Sequence, residues 1–196
     1  MTTTTASPSR PLRADAQRNY DAIVGIARDA FAENGTQTSL DDIACRAGVG
    51  PGTLYRHFPT RDCLLAAALR DSLTELESGA AELAQDPDAA AALNEWLFLL
   101  ATHLRTYGGL PDSVAQAMQE GTGALAESCA PLRSETGMLL ARAQEAGAVR
   151  SDVSAGDVFT IVASLAWASD RRGDSDADLR RLLGIATVGL RVAAES

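Results

Sequence analysis

The sequence predicts an all-α protein of about nine helices. Good helix formers, Ala above all, dominate its 196 residues, and runs of β-branched residues are rare. Apolar side chains recur every three to four residues in most segments, which is the spacing of one helix face. Ser, Thr or Asp precedes several of these segments, and Gly follows several of them, as expected of helix caps. With 46% hydrophobic residues, the chain can bury a sizeable core in one large or two small domains.

The first predicted elements are a polar arm and a long helix. Residues 1–12 are rich in Thr, Ser and Pro, and we expect them to form a disordered arm. Helix 1 is predicted over about 15–34 and ends at Gly35. Its apolar stripe has helical spacing: Ile23, Ala27, Ala30 and Phe31.

Two short helices follow. Ser39, with Asp42 three residues later, predicts the N-terminal cap of helix 2. Gly48 supplies the positive φ that ends this helix. Pro51 suits the first position of helix 3, which is predicted to run to about Phe58.

Six further helices are predicted beyond this point. Thr60, Asp88 and Ser154 each stand where a helix N-terminal cap is expected, and Gly and Pro residues separate the segments. The predicted ranges are 61–79 for helix 4, 89–107 for helix 5, a short helix 6 opened by Pro111, 124–146 for helix 7, 155–171 for helix 8 and 176–194 for helix 9.

The segment 39–58 carries the clearest functional signal. Its apolar residues form one face of each short helix: Leu40, Ile43, Ala44, Ala47 and Val49, then Leu54, Tyr55 and Phe58. The tight turn between the two helices makes them pack crosswise and presents the second one outward. This arrangement predicts a helix-turn-helix whose second helix can enter a DNA major groove.

This part of the chain resembles the TetR family of transcriptional regulators. The resemblance rests on the run TSLDDIA at 38–44, the turn AGV at 47–49 and the run GTLYRHF at 52–58, followed by Arg61. It covers roughly residues 13–69, in the order and spacing that the family shows.

The resemblance implies two domains and a ligand-responsive regulator, in the first place a repressor that a small molecule releases from a palindromic operator. The DNA-binding domain would occupy 13–60, and a ligand-binding and dimerisation domain would occupy 61–196. Two positions depart from the family's usual pattern. Arg61 stands where a Lys is common, and Pro51 replaces a Ser or Lys, which removes one side-chain contact to DNA.

The residues expected at the DNA lie on helices 2 and 3 and at the start of helix 4. Tyr55 and His57 are assigned to phosphates, and Arg56 to a base or a phosphate. Glycines would let the backbone approach the DNA closely. The full expected set is Thr38, Ser39, Gly50, Pro51, Gly52, Thr53, Tyr55, Arg56, His57 and Arg61.

The net charge of −9 is unusual for a DNA-binding protein, but its distribution is not. Residues 1–70 hold eight Arg against seven acidic residues, a net charge of +1. Residues 71–196 hold nine Arg against nineteen acidic residues, a net charge of −10. The acidic charge therefore lies away from the predicted DNA-binding face.

The second domain contains candidates for an effector pocket and for a dimer interface. The resemblance implies a ligand cavity for a largely apolar molecule, with candidate lining residues Trp96, His103, Tyr107, Met118 and Trp167, although side chains at such spacing also build ordinary cores. Helices 8 and 9 carry more apolar surface than one monomer core can cover. The residues predicted to meet a second copy are Val158, Ile161, Leu165, Leu182, Ile185 and Val188.

Other classes of function lack their signals in this sequence. No nucleophile–base pair, phosphate loop or metal-ligand spacing is present, so neither an enzyme nor a metal or cofactor site is expected. No apolar run of about 18 residues predicts a membrane span, and three unpaired cysteines suit the reducing cytoplasm. Cys45 could be a redox switch or an idle thiol. An activator and an effector-free DNA-binding protein stay open as alternatives.

Overall fold

The computed structural model describes residues 9–107 and 109–190, without the side chains of 9–13, 111, 118 and 119. Within these ranges the chain forms nine helices, which confirms the all-α prediction. They are α1 (Ser9–Asn34), α2 (Leu40–Arg46), α3 (Pro51–His57), α4 (Arg61–Leu83), α5 (Ala89–Leu104), α6 (Leu110–Glu120), α7 (Ala124–Glu145), α8 (Ala155–Arg172) and α9 (Asp176–Val188).

Helix α1 begins at Ser9, six residues earlier than the sequence predicted. Pro11 therefore lies in the first turn, where its missing N–H leaves no helical hydrogen bond unmade. Of the expected disordered arm, residues 1–8 lie outside the described residues, and 9–12 are helical.

The predicted caps set the starts of the long helices. Thr60 Oγ1 accepts a hydrogen bond from the Cys63 N–H at 3.2 Å, and Asp88 accepts from two backbone N–H groups at the start of α5. Ser154 exchanges hydrogen bonds with Asp157 in a reciprocal capping box. Local side-chain chemistry therefore fixes where α4, α5 and α8 begin.

The C-terminal domain is built around α5 and α7. Helix α7 packs against α4 and α5, while α8 and α9 both pack against α5. The indole N–H of Trp96 on α5 donates to Thr136 Oγ1 on α7 at 2.9 Å. None of the helices in the described ranges combines the length and hydrophobicity that a membrane crossing requires.

His103, buried on α5, makes stability depend on pH. Burial disfavours the imidazolium and lowers the pKa of His103 from 6.5 to about 4. Because the unfolded chain regains the ordinary pKa, the stabilisation is complete above pH 6.5 and is lost as the pH falls toward 4. The free energy of unfolding should therefore fall by about 3 kcal/mol across this range in urea titrations. His103→Leu should flatten the profile, and equal slopes for both proteins would contradict this assignment.

Candidate nucleic-acid interface and effector cavity

Helices α2 and α3 form the predicted helix-turn-helix. Ser39 Oγ accepts from the Asp42 N–H at 3.4 Å and caps α2. Gly48 ends α2 with a φ of +69°, a conformation that favours glycine. Leu54 on α3 and Phe58, which directly follows this helix, are buried in the core, so the opposite face of α3 points outward.

The outward face of α3 presents long polar side chains. Tyr55 is 45% exposed, and Arg56 is also exposed. His57 is half-buried, with its ring edge-on to Tyr20 of α1 at 6.2 Å between centroids. Tyr20 also packs against Phe58 at 5.1 Å. Tyr20 thus supports the end of α3, a role that the sequence pattern did not indicate.

Arg56 is the arginine of α3, and its charge is available for contact with another molecule. Its Nε donates to the Gly52 carbonyl at 3.0 Å, which directs the side chain along α3 toward the helix start. No carboxylate pairs with Arg56 in the part of the chain that the structure describes. Two other arginines of the domain form ion pairs: Arg28 with Asp71 at 2.7 Å and Arg46 with Glu33 at 2.9 Å.

Neither packing within the chain nor backbone conformation requires glycine at Gly50 or Gly52. A methyl group at either position would meet no other atom within 4 Å. Neither residue has a positive φ; that of Gly50 is −73°. Together with Pro51 and the partly exposed Thr53, they give the start of α3 a low, open surface. Such a surface allows close approach of another molecule's backbone.

Arg61 and Thr38 lie differently from the expectation. Arg61 Nη1 donates to the backbone carbonyls of Thr36 and Thr38, both at 2.6 Å. The Thr38 hydroxyl donates to the Gly35 carbonyl at 2.7 Å. Arg61 Nη1 and the Thr38 hydroxyl therefore hold the α1–α2 loop, while Nη2 and Nε of Arg61 have no partner among the described residues. Contact of Arg61 and Thr38 with DNA stays a prediction.

The α1–α2 loop rests on the start of α6, in a junction that sequence reasoning missed. Thr36 is fully buried, and Ser113 Oγ lies 3.3 Å from Thr36 Oγ1. Gly109, with a φ of +81°, lies so close that a Cβ there would stand 2.9 Å from Thr36 Oγ1. The rings of Phe31 and Tyr107 meet edge-on beside it at 6.3 Å. The DNA-binding domain therefore contacts α6 as well as continuing into α4.

Gly109→Ala should destabilise the protein more than Gly121→Ala. Both glycines have positive φ, which costs alanine about 1 kcal/mol. Only at Gly109 does the added Cβ also crowd another atom, since Gly121 has nothing within 4 Å. Chemical denaturation at one protein concentration should give the larger loss for Gly109→Ala. Equal losses in the free energy of unfolding would show that the contact between Gly109 and Thr36 relaxes without destabilising the protein.

Four of the five expected pocket residues are described, and none of these four lines the cavity between α6, α7 and α8. Trp96 is buried, and its N–H is satisfied by Thr136. Tyr107 is buried against α1, and His103 is buried on α5. Trp167 is 41% exposed, with the Arg171 guanidinium 4.8 Å from its ring. The side chain of Met118 lies outside the described residues.

A cavity of about 370 Å³ that is partly open to solvent lies between α6, α7 and α8, and all of its described lining residues are partly or fully exposed. Most of its wall comes from small residues of α8. Its lining consists of Ala115, Arg133, Ala155, Gly156, Phe159, Thr160, Ala163 and Ser164. The signal that could have located it is the run of small residues on α8, because such residues leave space beside a helix.

The residues expected at a dimer interface divide into two groups. Ile185 and Val188 on α9 are 61% and 60% exposed. Ile161, Leu165 and Leu182 are half-buried. The prediction that Val158 lies at the dimer interface is wrong, because this residue is fully buried in the protein's own core and cannot meet a second copy.

Potential metal ligands are dispersed over the described residues. No group of three or more His, Cys, Asp or Glu side chains there could hold a metal ion. Cys129 is buried, and burial raises the pKa of its thiol to about 11, which disfavours the reactive thiolate. Cys45 is exposed.

Two family models match the chain. Residues 88–192 match the model described as "Transcriptional regulator SbtR-like, C-terminal domain", and residues 23–68 match "Bacterial regulatory proteins, tetR family". An HTH-type transcriptional repressor of Mycobacterium tuberculosis is 40% identical over 77 residues, 39% of this chain and 41% of that protein. The match thus spans less than half the length of this curated relative.

Solved structures extend the similarity to nearly the whole chain. A TetR transcriptional regulator of Streptomyces coelicolor is 33% identical with a TM-score of 0.59, covering 89% of this chain and 99% of that one. A TetR transcription regulatory protein of Mycobacterium vanbaalenii is 32% identical with a TM-score of 0.51, covering 93% and 100%. With one family model covering more than half of the sequence, the chain belongs to the TetR family of bacterial transcriptional regulators.

Proposed function

We propose that this protein is a homodimeric repressor that binds a palindromic operator through α3 and is released from it by a small molecule. The side chains on the outward face of α3 support the proposal most strongly. Leu54 and Phe58 anchor the helix from inside, while Tyr55 and Arg56 project outward and no described carboxylate pairs with Arg56. This is the geometry of a helix that reads a major groove.

The exposed donors of α3 suit different parts of the duplex. Arg56 has both Nη groups free while Nε is held by Gly52, so it can donate in pairs to guanine O6 and N7. Tyr55 and His57 are suited to phosphate oxygens, which position the protein without reading sequence. Ser39, exposed at the start of α2, can donate its hydroxyl to a phosphate while its oxygen caps the helix.

The proposed dimer would form through α9 with the outer face of α8. Two large aliphatic side chains more than half exposed on one short helix, Ile185 and Val188, are costly to leave in water. Trp167 on α8 is a third exposed apolar residue in this part of the domain. A two-fold pairing here would present two α3 helices to one duplex, as a palindromic operator requires.

A bound effector is proposed to act on α2 and α3 through α6 and α4. Helix α6 lies against the α1–α2 loop through Gly109 and Ser113, and Arg61, the first residue of α4, donates a hydrogen bond to the same loop. A shift of either helix would move α2 and α3. A ligand can drive this shift only if it binds the non-operator conformation more tightly.

The open surface at Gly52 gives a test of DNA contact that leaves the fold alone. Gly52→Ala should leave stability unchanged or slightly raised, because its Cβ meets nothing and alanine favours helices. The same change should weaken operator binding about tenfold or more, because the added methyl group holds the helix away from the DNA. Fluorescence anisotropy with a duplex from upstream of the protein's own gene would measure this.

Gly137→Ala is the matched control, since it also lies on a helix with nothing within 4 Å of its Cβ. It should bind DNA as the unchanged protein does. If Gly52→Ala also bound normally, the start of α3 would not approach DNA, and the proposed reading face would be wrong.

A further inference from the structure

We infer that the cavity between α6, α7 and α8 binds a small amphiphile with an apolar body and one anionic head group, such as a carboxylate, held by Arg133. The inference rests on the proposed function in one respect, because it names the chemical class of the effector. Binding itself can be measured without DNA.

The cavity's size and walls suit a short apolar body. Ala115 of α6 and Ala155 and Ala163 of α8 form much of its surface, with the ring of Phe159 among them. Its volume of about 370 Å³ lies at the small end of the range of ligand cavities, about 300–1,000 Å³. At about 30 Å³ for each water-sized group, it holds about twelve non-hydrogen atoms.

Arg133 is exposed to solvent, and it is the only charged residue of the described lining. No ion pair or hydrogen bond joins its guanidinium to another described residue. Two other arginines of this domain have partners within the chain: Arg142 donates to the carbonyls of Leu83 and Asp86, and Arg180 pairs with Glu95. This is notable because residues 71–196 contain nineteen acidic residues and only nine arginines.

The acidic domain and Arg133 act on an anion over different ranges. The net charge of −10 repels an anion from a distance, but salt screens that repulsion beyond about 8 Å. A direct charge-assisted hydrogen bond to a guanidinium is worth about tenfold to a hundredfold in affinity. Contact with Arg133 therefore outweighs the repulsion once the apolar body occupies the cavity.

Occupation of this cavity has a direct route to the DNA-binding domain. Ala115 lines the cavity only two residues beyond Ser113, which contacts Thr36 in the α1–α2 loop. A ligand that displaces this part of α6 therefore displaces the helix that contacts the α1–α2 loop, and α2 follows that loop directly.

Isothermal titration calorimetry of the full chain with decanoate and with decanol tests the inference. The two probes have the same apolar body and differ in the charge of the head group. Decanoate should bind at least about tenfold more tightly than decanol. Equal affinities, or no binding of decanoate up to its solubility limit, would overturn the inference.

Three variants locate the site. Arg133→Gln should remove the preference for decanoate, whereas Arg150→Gln, which changes an exposed arginine paired with Asp152 outside the cavity, should keep it. Ala163→Phe should weaken both probes about tenfold or more by filling the cavity. A preference that survives Arg133→Gln would overturn the inference. Operator binding, measured separately, tells failure of this inference from failure of the proposed function.

Discussion

Replacing Ile185 and Val188 together by glutamate should separate the proposed dimer and abolish operator binding. Both side chains are about 60% exposed in the single chain, so the monomer can carry the charges in water. In a dimer the carboxylates would be buried in an apolar seam at a cost of about 4 kcal/mol or more. That cost raises the dimer dissociation constant about a thousandfold. Sedimentation velocity should show a folded monomer.

Met138→Glu provides the control, because Met138 is an exposed apolar residue on α7 rather than α9. This variant should remain dimeric and bind the operator normally. A dimer that persists in the protein with Ile185→Glu and Val188→Glu would place the interface elsewhere. A monomer in the unchanged protein would contradict the dimer altogether.

Arg56→Ala should remove most sequence-specific binding without changing the fold. An arginine that reads a guanine contributes about 2 kcal/mol to each half-site. Two half-sites together make the loss about a thousandfold in affinity. Stability should change little, because Arg56 is exposed and its hydrogen bond within the protein runs only to Gly52 of the same helix. Anisotropy titrations and thermal unfolding measure the two effects.

The matched variant is Arg150→Ala, which removes an exposed arginine from the acidic domain. It should leave operator affinity unchanged. If Arg56→Ala weakened specific and random duplexes by the same factor, Arg56 would contact phosphate rather than a base. If it weakened neither, α3 would not be the reader.

Features encoded by neighbouring residues were predictable from the sequence. Ser39, Thr60 and Ser154 cap helices because their hydroxyls reach an N–H three residues ahead, whatever the rest of the chain does. Gly48 ends α2 for an equally local reason, its positive φ. The helix-turn-helix follows from these signals and from the apolar faces of α2 and α3.

Features set by distant contacts were not predictable in the same way. Arg61 Nη1 donates to the carbonyls of Thr36 and Thr38, a contact that residue spacing does not predict. On α8, apolar residues occupy more than one face, so the pattern could not show that Val158 points into the core. Trp96 was predicted to line a pocket because of its size. Its hydrogen bond to Thr136, a residue distant in the sequence, instead makes it part of the core.

Selection of bound duplexes from a random library shows whether a dimer of this chain reads an inverted repeat through α3. We expect enrichment of two inverted half-sites whose centres lie about 34–36 Å apart or somewhat more. Affinity for the enriched duplex should fall steeply with added salt, because many contacts are to phosphate. Enrichment of no common sequence, or equal affinity for the selected and random duplexes, would contradict sequence-specific operator binding by this protein.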